Sequence, residues 1–232
     1  MLNKNWNEKE CILFDLDGTL TDPGIGITNS VMHALKRYGI EVADRSELYR
    51  FIGPPLSQSF ERFYGFSKEE SVRAVDVYRE YFSVKGLFEN LVYPGIEELL
   101  QTLKAQGKTI CLATSKPEIY AKQILEHFHL DGYFDVISGS LLNGERTNKA
   151  EVITWAMKCL KEEGKVFEVN QMIMIGDREH DVIGAHKNEM DVIGVLFGYG
   201  DVEELNAAGA DGLAETVGDL YQMLTGTVLQ EV

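Results

Sequence analysis

The stretch Cys11-Ile12-Leu13-Phe14-Asp15-Leu16-Asp17-Gly18-Thr19 decides the fold. Its first four residues form an apolar run that stops at a carboxylate. Such a run, cut by charge and glycine, reads as a buried strand that delivers a polar residue at its carboxyl end. The pattern recurs along the chain. The run 109–113 leads into Thr114-Ser115, the run 172–175 into Gly176-Asp177, and the run 192–196 into Phe197-Gly198. A weaker run, 134–137, ends in Ser138-Gly139.

Segments with apolar residues at helical spacing alternate with these runs: 96–104, 119–128 behind Pro117, 149–161, 181–188 and 202–208. Pro117 suits a helix's first turn. Strand–helix alternation of this kind predicts an α/β fold with a mostly parallel sheet. Residues 28–88 break the alternation. They hold no strand-like run, and 28–38, 46–50, 57–64 and 68–84 all read as helix. The chain therefore divides into an α/β core of residues 1–22 and 90–232 and an inserted helical cap of residues 23–89. Insertion is tolerated where both ends lie together at the surface, and Asp22-Pro23-Gly24 and the region 90–95 are the expected hinges.

The chain has 232 residues, with 22 Lys+Arg, 37 Asp+Glu and a net charge of −15. That charge argues against a nucleic-acid polymer or an anionic membrane as partner, since both attract an excess of Lys and Arg. No apolar run approaches the roughly 20 residues of a membrane-spanning helix. The N-terminal MLNKNWNEKE lacks the apolar stretch of a signal peptide. Three cysteines, at 11, 111 and 159, show no metal-ligand spacing. Cys11 and Cys111 sit in apolar runs and read as buried thiols. The expectation is a cytoplasmic protein in a reducing compartment, monomeric or homodimeric.

Ligands of open α/β sheets bind beyond the carboxyl ends of the strands. Here those ends offer Asp15, Thr114, Ser115 and Asp177. So acidic a cluster calls for a cation, and oxygen-only ligands favour Mg²⁺ over zinc. Asp17 lies two residues beyond Asp15, so both can aim at one site while the chain stays extended. Gly18 permits a sharp turn and a close approach of backbone N–H groups to an anion. A carboxylate is a competent nucleophile when metal and donors neutralise what it attacks, and a second one can shuttle a proton. A calcium loop would need glycine at its sixth position and Glu at its twelfth, and here glycine comes fourth. The five histidines form no HExxH pattern. Gly24-Ile25-Gly26 does not lead from a strand directly into a helix, as a dinucleotide fingerprint would.

The stretch Phe14-Asp15-Leu16-Asp17-Gly18-Thr19-Leu20 resembles the signature of the haloacid dehalogenase superfamily of phosphatases. Three further motifs match in order: Thr114-Ser115, then Lys149 opening a helix, then Gly176-Asp177-Arg178-Glu179-His180-Asp181 in the GDxxxD form. The resemblance spans almost the whole chain and implies a Rossmann-like core with a type-one helical cap. It implies that Asp15 attacks phosphorus and that Asp17 protonates the leaving oxygen and then activates water. It also implies Mg²⁺ held by Asp15, Asp177 and the Asp17 backbone carbonyl, with Asp181 acting indirectly. Gly18, Thr114, Ser115 and Lys149 would meet the phosphate.

Other readings stay open at several positions. Lys149 alone could be a surface lysine, and Arg146 and Lys116 nearby compete for its role. Thr114 and Ser115 could cap the following helix, and Asp181 could serve its own helix terminus. Asp17 disfavours a dehalogenase, because the dehalogenases resemble this fold but lack that acid. A sugar-phosphate mutase would keep both aspartates, and a non-catalytic binding protein on this fold is a third class. Arg50-Phe51-Ile52-Gly53-Pro54-Pro55-Leu56 resembles the cap loop of phosphoglycolate-phosphatase-like relatives, where Arg50 and Gly53 would touch substrate. A plain helix–helix connector also explains it. Together with TSKP at 114–117, the loop resembles the branch named phosphoglycolate phosphatase or 5′-nucleotidase-like. The expected partner is a small phosphorylated metabolite.

Overall fold

The computed structural model describes residues 5–229. The reading of MLNKNWNEKE as free of a leader falls partly on residues 1–4, outside the described residues. In chain order the elements are β1 (Cys11–Phe14), β2 (Thr21–Asp22), α1 (Gly24–Arg37), α2 (Leu56–Tyr64), α3 (Lys68–Tyr81), β3 (Leu91–Val92) and α4 (Ile96–Ala105). There follow β4 (Thr109–Pro117), α5 (Glu118–His127), β5 (Val136–Ser140), α6 (Lys149–Glu162), β6 (Met172–Gly176), α7 (Glu179–Lys187), β7 (Asp191–Val195), α8 (Val202–Ala208), β8 (Gly212–Ala214) and α9 (Val217–Thr225). They form two compact units, residues 1–20 with 92–232, and residues 21–91.

The first unit is built on a six-stranded sheet of order β5-β4-β1-β6-β7-β8, parallel throughout. Successive side chains of a strand point to opposite faces. On one face Leu13, Cys111, Met174 and Val192 pack with Val152, Ile153 and Ala156 of α6, Val182 of α7 and Leu205 of α8. On the other, Ile12, Phe14, Leu112 and Ile175 are equally buried. Covering both faces makes each strand a continuous apolar run, and that is why the runs could be read. Each fully buried Leu, Ile or Phe stabilises the fold by about 1.5–3 kcal/mol. The order reverses at β1, which lies between β4 and β6, so a crevice opens at the carboxyl end of β1.

The structure departs from the sequence reading in several places. β4 continues past its apolar run to Pro117, with a register shift against β5 between Ala113 and Pro117. Pro117 occupies the N-cap position of α5 rather than its first turn. β8 and α9 were not expected at all. β8 is three residues long, begins with Gly212 and is half-exposed at its first two positions, so it carries no apolar run. α9 announces itself only through the Thr216–Asp219 capping box.

The second unit contains α1, a 3-10 turn over Arg45–Phe51, α2 and α3. Segment 46–50 is thus a tight turn, started by Asp44 capping the Ser46 amide. The helix expected over 68–84 ends at Tyr81 and passes into one π-helical turn, Phe82–Gly86. That turn keeps Phe82 buried and stacked on Tyr78 at 5.1 Å. The short pair β2–β3 was also unread, being two residues on each side. Gly24 therefore does open a helix immediately behind a strand, contrary to expectation. Gly26 serves packing: a Cβ there would overlap the Gly86 carbonyl oxygen. Phe51, Phe60 and Phe63 form an aromatic core, with Phe51 and Phe60 edge to face at 5.1 Å. No described helix is long and apolar enough to cross a membrane.

Candidate active site

Asp15 follows β1 directly and stays on its ladder, its amide donating to the Ile175 carbonyl at 2.9 Å. Leu16 accepts from the amides of Thr19 and Leu20, so the chain turns sharply behind Asp15. Gly18 takes φ +81° in that turn, the left-handed region that suits glycine. Asp177 sits just past β6, and Asp181 lies in the first turn of α7. One carboxylate oxygen from each of Asp15, Asp177 and Asp181 lies within 4.8 Å of the others. All three residues are buried, Asp177 and Asp181 to 1% exposure.

Lys149 enters from the first position of α6. Asn148 caps that helix by accepting from the Ala150 amide at 2.9 Å. A cation at a helix N-terminus works against the helix dipole, so this lysine needs another source of stabilisation. It finds Asp15 Oδ1 at 2.8 Å and Asp181 Oδ1 at 2.7 Å, and donates to the Ala113 carbonyl at 3.0 Å. Burial alone would push its ammonium down; the Asp15 and Asp181 charges outweigh burial and raise it. Lys149 is thus no surface lysine, and its two basic neighbours make other pairs. Arg146 pairs with Glu118 and lies over the Trp155 ring. Lys116 pairs with Asp17 at 2.6 Å.

The remaining carboxylates carry strain of a different kind. Asp177 Oδ2 accepts from the Tyr199 amide at 2.8 Å, whereas Asp177 Oδ1 is buried with no hydrogen-bond partner. Burial, then the charges of Asp181 and Asp15, raises the Asp177 carboxyl well above the usual range. Burial also raises Asp181, with Lys149 opposing, although its Oδ2 accepts from the Arg178 amide at 3.0 Å. Asp181 thus serves its helix terminus and the cluster together. Burial raises Asp17 as well, against the pull of Lys116.

Three buried carboxylates facing one ammonium leave an uncompensated negative charge. An unpartnered buried oxygen such as Asp177 Oδ1 costs free energy unless something meets it. Both facts fit a hard divalent cation on oxygen ligands, held by Asp15 and Asp177 with Asp181 beside them. Thr114 is buried at the end of β4's apolar run, and its hydroxyl accepts from the Lys116 amide at 3.2 Å. It does not cap α5, whose N-cap Pro117 makes no side-chain bond. Ser115 is half-buried beside it.

The first unit thus brings together Asp15, Lys149, Asp177 and Asp181, with Gly18 against Asp177. Asp17 pairs with Lys116, and Thr114 and Ser115 follow the apolar run of β4, the strand beside β1. Arg50 and Gly53 belong to the second unit. Arg50 is exposed with its guanidinium 4.3 Å above the Phe63 ring, and Gly53 is exposed at φ +101°. The sequence reading weighed Lys116 only as a rival of Lys149 and missed its bond to Asp17. It also missed Tyr199, whose contribution is a backbone amide that no side-chain motif can announce.

A sequence model of the family described as haloacid dehalogenase-like hydrolase matches residues 12–195. A 5′-nucleotidase of Pseudomonas aeruginosa is 50% identical over 196 residues, covering 84% of this chain and 86% of that protein. The tyrosine-protein kinase PtkA of Mycobacterium tuberculosis is 35% identical over 219 residues, 90% of this chain and 72% of that protein. Among solved structures, a protein from Clostridium acetobutylicum described as a predicted phosphatase superposes with a TM-score of 0.89 at 48% identity. It covers 94% of this chain and 99% of its own.

Proposed function

We propose that this chain, which belongs to the haloacid dehalogenase-like hydrolase family, hydrolyses a small phosphate monoester with Mg²⁺ through a phosphoryl group carried on Asp15. The chain is a phosphatase of that family; the metal, the residue roles and the substrate are the inference. The observation that carries them is Asp15 itself: a buried carboxylate at the switch point of the sheet, 2.8 Å from the Lys149 ammonium.

The roles follow from charge and position. Asp15 attacks phosphorus as the bond to the leaving oxygen breaks. Asp17 gives that oxygen a proton, then takes one from the water that cleaves the aspartyl-phosphate. Lys149, the Thr114 hydroxyl and the amides of Gly18 and Ser115 meet the phosphoryl oxygens, whose charge is what catalysis of phosphoryl transfer must stabilise. Mg²⁺ held by the Asp15 and Asp177 carboxylates and the Asp17 carbonyl would supply the remaining positive charge and orient the phosphate. Lys116 would hold the Asp17 carboxylate in place between turnovers.

A nucleoside 5′-monophosphate is the first substrate to test, because the relative that is 50% identical is named a 5′-nucleotidase. Phosphoglycolate is the second, on the resemblance of the loop 50–56. Residues 23–89 would act as the cap, with Arg50 and Gly53 touching the part of the substrate that does not react. Three free cysteines, two of them buried, are in keeping with a reducing, cytoplasmic setting, and the assembly is a monomer or a homodimer.

The test is turnover of p-nitrophenyl phosphate and of the two metabolites with Mg²⁺, with phosphate release as the readout. Asp15→Asn should abolish it. Unchanged activity in Asp15→Asn would sink the reading, and transfer of phosphate to a second sugar hydroxyl without release would replace it with a mutase.

A further inference from the structure

Asp177 is enclosed by backbone on two sides. On one side is Gly18, where a Cβ would collide with Asp177 Oδ2 and stand 2.6 Å from Asp177 Cγ. On the other is the loop that follows β7, Phe197-Gly198-Tyr199-Gly200. A Cβ on Gly198 would collide with the Gly18 carbonyl oxygen and lie 2.5 Å from Asp177 Cβ. A Cβ on Gly200 would collide with the Asp177 carbonyl oxygen. Neither Gly198 nor Gly200 has a positive φ, so space, and not backbone freedom, is what calls for glycine at both. Between them the Tyr199 amide donates to Asp177 Oδ2 at 2.8 Å. The Phe197 ring packs edge-on against Tyr93 at 5.2 Å, which ties down the start of the loop.

We infer that the loop 197–200 is a positioning element for Asp177 as a metal ligand. The terminal torsion of an aspartate is broad, so an unanchored Asp177 could rotate its carboxylate plane and swing both oxygens out of line with the cluster. The Tyr199 amide takes Oδ2, and the backbone packed around the carboxylate at Gly18 and Gly198 leaves it no room to turn. Oδ1, buried and unpartnered, is then the oxygen left for the cation. Groups that orient a metal ligand in this way typically govern affinity by about 10–100-fold. The inference rests on the reading of Asp15, Asp177 and Asp181 as the metal site.

The experiment is a calorimetric titration of Mg²⁺ into the full chain, without substrate, for the wild type, Gly198→Ala, Gly200→Ala and the control Gly218→Ala. A Cβ at Gly218 meets only the Thr216 hydroxyl at an ordinary 3.5 Å. The expected result is a dissociation constant raised about tenfold or more in Gly198→Ala and Gly200→Ala and unchanged in Gly218→Ala. Melting of the metal-free proteins separates this from a merely structural role, which would lower the melting temperature and leave the affinity alone. That outcome would overturn the loop's role while the metal reading stands; a wild type that binds no Mg²⁺ would overturn both. Where the glycine variants fail to fold, amide exchange in the metal-free wild type decides. The Tyr199 amide should be strongly protected, and exchange at the rate of an unstructured peptide would refute the anchoring.

Discussion

Replacing Lys149 with Met perturbs the cluster most informatively, because Met keeps much of the side chain's apolar length while removing the charge and the hydrogen bond to the Ala113 carbonyl. Lys149 is 4% exposed and is the ammonium bound to both Asp15 and Asp181. Its loss leaves two buried carboxylates facing Asp177 without compensation. Breaking a buried ion pair by removing one partner costs about 3–5 kcal/mol. In a chain of this size each kcal/mol shifts the melting temperature by roughly 2–4 °C, so a fall of about 10 °C is expected in the absence of metal. Urea unfolding in a chelator measures the loss directly. The variant Lys149→Met with Asp181→Asn should regain part of it, since one of the stranded charges is gone. Mg²⁺ supplies a second check. A cation and the ammonium neutralise the same carboxylates, so Mg²⁺ should stabilise the variant more than the wild type. At one fixed Mg²⁺ concentration, about a hundred times the wild type's dissociation constant, the wild type gains about 2.7 kcal/mol, and a tighter-binding variant gains more. A loss below about 1 kcal/mol, the range of an exposed pair, would refute the reasoning, as would an equal gain from Mg²⁺ in both proteins.

Further outcomes are expected from the same geometry. The Asp177 and Asp181 carboxyls are raised, chiefly by burial, so the folded metal-free protein holds more protons than the unfolded chain above about pH 4. Its stability should fall as pH rises through that window, with the slope flattened by Mg²⁺ and reduced in Asp177→Asn; melting curves across the pH range read it out. Asn148→Ala should cost about 1 kcal/mol in urea unfolding, the usual worth of an N-cap, because its side chain holds the Ala150 amide. Arg50→Ala should cost no more than about 1 kcal/mol for its contact with Phe63. Its loss of turnover should be greater with the metabolite than with p-nitrophenyl phosphate, and equal loss on both would remove Arg50 from recognition.

What could be read from the sequence follows the physics of burial. The strands β1, β4, β6 and β7 were legible because a parallel sheet covered on both faces demands continuous apolar runs, each ended by the residue it delivers. The position of Asp15, Asp177, Thr114 and Ser115 beyond strand ends was legible for that reason, that of Asp17 by its spacing from Asp15, and Lys149 was singled out through the resemblance. β8 escaped because three residues, Gly212 and Leu213 half-exposed and Ala214 buried, carry no pattern, and β2 and β3 because two residues cannot. The ion pair of Lys116 with Asp17 spans 99 residues and leaves no local signal. The enclosure of Asp177 by Gly198, Tyr199 and Gly200 is a matter of backbone approach between two strand ends. Only the glycine spacing hints at it, and the same spacing at Gly24 and Gly26 meant helix packing.

The central claim is that Asp15 carries the phosphoryl group, and one measurement tests it most directly. Asp17→Asn is mixed with p-nitrophenyl phosphate and Mg²⁺, quenched in acid and digested, and the peptide around residue 15 is weighed. p-Nitrophenol departs readily without an acid, while the aspartyl-phosphate then lacks its base and accumulates. The account predicts a burst of about one equivalent of p-nitrophenol per chain and the mass of one phosphoryl group on Asp15. Steady release of p-nitrophenol with no phosphoryl group on Asp15 would contradict it.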